Sequence, residues 1–127
     1  AGPRVRFLGA LPRDRVLELF RAADASILPS SWENFPHTVV EALAVGTPVI
    51  ATAIGGVAEI VHDGENGLLV PAGDAAALAG AVRRYLGDAE LRERLRAAAA
   101  PSVAEYAPER VFARLEETLA NAARISK

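Results

Sequence analysis

The chain contains no cysteine. Disulfides and thiolate chemistry are therefore excluded, and the redox compartment is left undetermined. Histidine is scarce, with two residues, and without cysteine beside them they do not make a structural zinc set. Lysine occurs once, at Lys127, among 14 basic residues. With so much alanine, that bias reads as GC-rich coding rather than as a functional patch. Neither sign of charge is in large excess. The formal net charge is -2, so no general attraction to nucleic acid or anionic lipid is expected. No apolar run reaches the ~20 residues of a transmembrane helix, and the N-terminal stretch lacks a signal peptide's apolar centre. A cytoplasmic soluble domain is the default expectation.

What is present is a chain of 127 residues, 51% hydrophobic, long enough for one domain with a real core. Val5 to Gly9 is a short β-rich run closed by glycine and reads as a strand. Pro12 to Ala23 carries Val16, Leu17, Leu19 and Phe20 at helical spacing, with Pro12 suited to a first turn. Ala25 to Pro29 is a continuous apolar run stopped by proline, the pattern of a strand buried on both faces. A loop from Ser30 to Phe35 leads into a helix from Pro36 to Val45, which Gly46 and Pro48 end. Val49 to Thr52 reads as a third strand.

Gly55-Gly56 opens a helical turn through Ile60, and residues 62–67 form a polar turn with two glycines. Leu68 to Val70 is a fourth, short strand. Asp74 caps a helix to Leu86 with Leu78, Val82 and Leu86 on one face. Asp88 caps another, from Ala89 to Ala99. A last helical stretch runs from Pro108 to about Ala123, with Val111, Leu115 and Leu119 as its inner stripe. Alternating strands and helices predict an α/β fold with about four mostly parallel strands.

In such sheets ligands bind beyond the carboxyl ends of the strands, and the loop after Ala25–Leu28 lies there. The helix after it presents free N–H groups and the positive end of its dipole, an anion site suited to phosphate. Pro36 has no N–H, which leaves His37, Thr38 and Val39 as donors. Glu33 precedes this helix and Glu41 lies about a turn and a half inside it. Eight residues at helical rise span ~12 Å, too far for a paired acid and base at one bond. The distance suits two acceptors gripping two hydroxylated rings with a diphosphate between them, the shape of a nucleotide sugar. The plainer reading makes both glutamates solvated. Against it, Glu41 stands in an apolar run of Val39, Val40, Ala42 and Leu43.

Other candidates have plainer readings too. Trp32 fits packing under the loop and His62 a polar turn. Glu59 suits nearby backbone or solvent. Gly55 and Gly56 serve either a ligand's approach or positive φ. Five arginines (Arg83, Arg84, Arg92, Arg94 and Arg96) are spaced as solvated helix faces rather than a nucleic-acid surface.

Three motifs follow one another. Glu33 and Glu41 form an E-x7-E pair that continues as Glu41-Ala42-Leu43-Ala44-Val45-Gly46-Thr47-Pro48-Val49-Ile50-Ala51. Gly55-Gly56-Val57-Ala58-Glu59-Ile60-Val61 comes next, then Gly64-Glu65-Asn66-Gly67-Leu68-Leu69-Val70. Together they resemble the C-terminal, donor-binding lobe of family 4 (group 1) glycosyltransferases, which have the two-lobed, Rossmann-like GT-B fold. The resemblance runs from Val5 to about Phe112. It implies transfer of a sugar, with retention, from a nucleoside-diphosphate donor, with no metal and no other cofactor. By this resemblance Glu33 is the catalytic residue facing the transferred sugar, and Glu41 binds the donor ribose. The backbone of Phe35, His37 and Thr38 holds diphosphate or sugar oxygens, and Leu11 and Pro12 position the base.

The family's donor lobe also carries two earlier β–α units, with the Arg and Lys that neutralise the diphosphate, and an acceptor lobe faces it. The expectation is therefore an incomplete lobe at residues 1–127. Its parent is cytoplasmic or at the inner membrane surface, and the chain alone is not a competent transferase. In the family's strand order, 3-2-1-4-5-6, two strands separate the Val5 strand from the Ala25 strand. Either Val5–Leu8 moves in beside Ala25–Leu28, or a second copy or the missing lobe covers the open edge. Two readings stay open beside this one: a stand-alone, non-catalytic α/β module binding a nucleotide or a protein, and a sugar-nucleotide epimerase of the GT-B type.

Overall fold

The computed structural model describes residues 5–29 and 37–104. Glu33, Phe35, Trp32, Pro36 and the expected last helix lie outside them. The described residues form α1 (Arg13–Ala22), β1 (Ser26–Leu28), α2 (His37–Ala44), β2 (Val49–Thr52), α3 (Val57–Ile60), β3 (Gly67–Val70), α4 (Ala75–Gly87) and α5 (Ala89–Ser102). The three strands are parallel in the order β1-β2-β3. Ser26 pairs with Val49, and Val49 with Gly67, so the register runs straight across. This is the expected α/β class, with helices on both faces.

Local chemistry explains most boundaries. Pro12 caps α1, its carbonyl accepting from Arg15 and Val16 at 3.0 and 3.1 Å. The α2 C-terminus turns through Gly46 at φ 88°. There Gly46 N–H donates to Leu43 O and Thr47 N–H to Ala42 O, both at 2.9 Å, the paired bonds of a glycine-terminated helix. The carboxylates of Asp74 and Asp88 accept from Ala77 and Leu91 N–H at 2.8 and 3.0 Å and start α4 and α5. Pro101 stands inside the last turn of α5 rather than ending it. Gly67 has a packing reason to be glycine: a Cβ there would stand 2.1 Å from Val49 O.

The sheet separates two apolar clusters. On one face Val49 and Ala51 pack with Val39, Val40, Ala42 and Leu43 of α2 and with Val57 and Ile60 of α3. On the other, Ile50 and Leu68 pack with Tyr85 of α4 and with Leu91 and Leu95 of α5. α5 serves both clusters, because Ala99 and Val103 continue its stripe into the α2 side.

Three expectations need correction. Residues 5–8 form no strand and join no ladder, so the described sheet has three strands rather than about four. Phe7 is 88% exposed, and Val5 and Leu8 are also exposed. A β-prone composition reports tolerance of extended backbone, and a strand also needs a partner edge and a covered face. For the same reason β1 is not buried on both faces. It is one of the two edge strands of the described sheet, and Ile27 is 47% exposed. Finally, the inner stripe of α4 is Leu78, Val82 and Tyr85; Leu86 is exposed. At 3.6 residues per turn, residue 86 lies about 80° around from residue 78, whereas residue 85 returns to within about 20°.

Candidate functional site

α2 leaves the carboxyl end of the sheet after β1 and lies between the sheet on one side and α1 on the other. That placement buries Val39, Val40, Glu41, Ala42 and Leu43 in succession. Glu41 is thus a carboxylate set inside an apolar helix, its side chain 11% exposed. Burying an ionised carboxylate is costly unless it is paired. The partner is Arg13, the first residue of α1, whose Nη2 donates to Glu41 Oε1. Arg13 itself is 53% exposed, so one end of the ion pair is wet.

Arg13 directly follows Leu11 and Pro12, so the pair ties the 11–12 segment to the helix carrying Glu41. Leu11 is exposed at the entrance to α1. His37 and Thr38 open α2 and are exposed, as a helix start needs to be if its N–H groups are to meet an anion. Glu33 and Phe35 fall outside the described residues, so the second half of the E-x7-E pair is not placed.

Turns near this face are held by bonds that the sequence reading did not foresee. Thr47 is buried, and its hydroxyl donates to Phe20 O, tying the end of α1 to the turn after α2. Asn66, in what reads as a polar turn, is also buried. It accepts from His62 N–H at 2.7 Å and donates to Ile60 O and Ser102 Oγ, both at 2.9 Å. Gly55 has φ 44°, while Gly56 is right-handed helical at φ -69°. Positive φ thus accounts for one of the two glycines.

On the opposite face, at the carboxyl ends of β1 and β2, a cavity of about 240 Å³ is lined by Pro29, Thr52, Gly73, Asp74, Ala75 and Leu78. Its charged group is occupied with capping α4. Among the described residues no three His, Asp or Glu side chains gather where they could hold a metal ion. No described helix is long and apolar enough to cross a membrane.

The signal for Arg13 was available in two parts. A buried glutamate needs a cation, and an arginine in the first turn of a helix opposes the helix dipole. Joining the parts requires knowing that α1 packs on α2, which periodicity does not state.

Comparison with known proteins agrees with this architecture. Residues 1–101 match the family model described as glycosyl transferases group 1. The chain belongs to that family. It is 44% identical over 96 residues to D-inositol 3-phosphate glycosyltransferase of Acidothermus cellulolyticus, covering 76% of this chain and 21% of that protein. Among solved structures, sucrose-phosphate synthase from Thermosynechococcus elongatus superposes with a TM-score of 0.78 at 36% identity. That superposition covers 95% of this chain and 31% of the other. HepE of Anabaena, solved in complex with UDP and glucose, gives a TM-score of 0.78 at 28% identity over 94% of this chain and 32% of its own. The chain therefore spans about a fifth to a third of the length of these relatives.

Proposed function

We propose that this chain supplies part of the donor site of a glycosyltransferase that moves a sugar, with retention, from a nucleoside-diphosphate sugar to an acceptor. The observation that carries the reading is the burial of Glu41, ionically paired, in the helix that opens at the carboxyl end of the sheet. An ionised carboxylate is a pure acceptor, and a vicinal diol offers two O–H donors to it. Glu41 is assigned the ribose, Glu33 the transferred sugar as the catalytic residue, and Leu11 and Pro12 the base. The start of α2, with the backbone of Phe35, His37 and Thr38, is assigned the diphosphate and sugar oxygens.

The solved complexes of HepE with UDP and with UDP-glucose support this assignment by likeness. A departing diphosphate needs cations fixed around it, and an acceptor needs a second wall to orient it. We therefore infer that the 127 residues bind donor without transferring its sugar, and that transfer belongs to the longer assembly.

Titration of the ¹⁵N-labelled chain with UDP, GDP and their glucose and mannose conjugates tests the reading. One base is expected to shift amides in α2 and around residues 11–13, and Glu41→Ala is expected to weaken that binding about tenfold, the scale of one charge-assisted hydrogen bond. A stably folded chain that answers to no nucleotide would instead make it a structural or protein-binding module.

A further inference from the structure

We propose that Arg13 is a positioning residue for nucleotide recognition: it holds the Glu41 carboxylate in place for the ribose hydroxyls. The proposal rests on the donor-site reading above. Four observations support it. Arg13 reaches Glu41 across 28 positions of sequence and from a different helix, so the bond fixes one element against the other. It engages Oε1, and a carboxylate with about four acceptor positions keeps capacity for a diol. Arg13 occupies the first turn of α1, where the helix dipole disfavours a cation, and Asp14 beside it is the residue type that this position favours. Lastly, the guanidinium is about half exposed while the carboxylate is buried. The open end of the pair is therefore Arg13, which directly follows Leu11 and Pro12, the residues assigned to the base.

A pair serving stability alone would gain nothing from this geometry that an apolar contact between α1 and α2 would not also give. With Arg13 in place, one rotamer of Glu41 is selected before ligand arrives, which lowers the ordering cost of binding. Without it the carboxylate is free to turn toward water and away from the ribose.

The test compares affinities of the chain for UDP or GDP, whichever binds, and for the 2′,3′-dideoxy form of the same nucleotide. The ratio of the two reports the ribose hydroxyls alone. Wild type is expected to prefer the ribose form about tenfold, the scale of one charge-assisted hydrogen bond. Glu41→Leu should bring the ratio to about one. Arg13→Met should lower it to between one and about threefold, leave the dideoxy affinity unchanged, and have no further effect in the Glu41→Leu background. Arg13→Lys, which restores a cation, should recover the ratio to within about twofold of wild type.

A ratio lost in Glu41→Leu but kept in Arg13→Met overturns the proposal alone. So does an Arg13→Met chain that loses both nucleotides equally, since that is the mark of a merely structural role. A wild-type chain that binds no nucleotide, or whose ratio survives Glu41→Leu, overturns the donor-site reading and this proposal with it.

Discussion

The two faces of the sheet use their polar groups differently. On the α4 side the buried and helix-capping polar side chains end on backbone, while the side-chain pair Arg96–Asp24 there is exposed at both partners. Tyr85 is buried and its hydroxyl donates to Asp24 O. Asp74 and Asp88 accept from the first turns of α4 and α5. Arg92 donates to Tyr85 O at 3.0 Å and to Leu86 O, covering carbonyls at the end of α4. On the α2 side Glu41, the buried charge among the described residues, meets another side chain, Arg13. The bonds that the α4-side groups make to backbone serve the fold. A buried carboxylate held by a half-exposed arginine keeps acceptor capacity, and that difference separates scaffold from candidate site.

The largest expected effect comes from breaking the scaffold face. Tyr85→Ala removes a buried aromatic and leaves Asp24 O without its donor. About 3–5 kcal/mol of stability should be lost, read as a large drop in urea midpoint. If Tyr85 is scaffold only, nucleotide affinity measured on the remaining folded fraction should not change. A direct loss of affinity would erase the distinction between the faces.

Next in size is an asymmetry within the ion pair. Arg13→Met leaves a buried carboxylate without its cation and should cost about 1–3 kcal/mol. The higher values known for buried pairs are not expected, because Arg13 is half solvated. Glu41→Leu leaves Arg13 free to hydrate and fills an apolar position, so its stability should stay within about 1 kcal/mol of wild type or rise. Urea denaturation of both variants decides it. Equal losses would mean that the pair is a symmetric clamp with no reserve at Glu41.

How much of this was legible in the sequence follows the range of the interactions. Asp74, Asp88, Gly46 and Pro48 act on residues within a few positions of themselves, and α2, α4, β2 and β3 were placed within a residue or two. The central strand, β2, is buried at every position, as its apolar run predicted. β1 is similarly apolar, yet its Ile27 is exposed, and nothing within Ala25 to Pro29 tells the two cases apart. Residues 5–8 fail as a strand for want of a neighbour. Within the site, Glu41 was visible as a charge in an apolar run, but Arg13 was not, because the bond spans 28 positions. Asn66 was hidden in the same way: its Ser102 partner is 36 positions away.

A smaller effect tests whether capping belongs wholly to the scaffold. Asp74 lines the 240 Å³ cavity at the carboxyl ends of β1 and β2, so position alone makes it a rival ligand group to Glu41. Its carboxylate, however, accepts from Ala77 N–H at 2.8 Å. Asp74→Ala should cost about 1 kcal/mol, the ordinary loss of a helix cap, and Asp74→Ser or Asp74→Asn should recover most of it, because either side chain can cap. Nucleotide affinity should be the same in all three. If Asp74→Asn keeps stability but weakens nucleotide binding severalfold, the negative charge of Asp74 is serving a ligand. The α4 face would then have to be counted as part of the site, and the contrast between a face whose buried and capping polar groups bond to backbone and one that holds a carboxylate in reserve would fail at that residue.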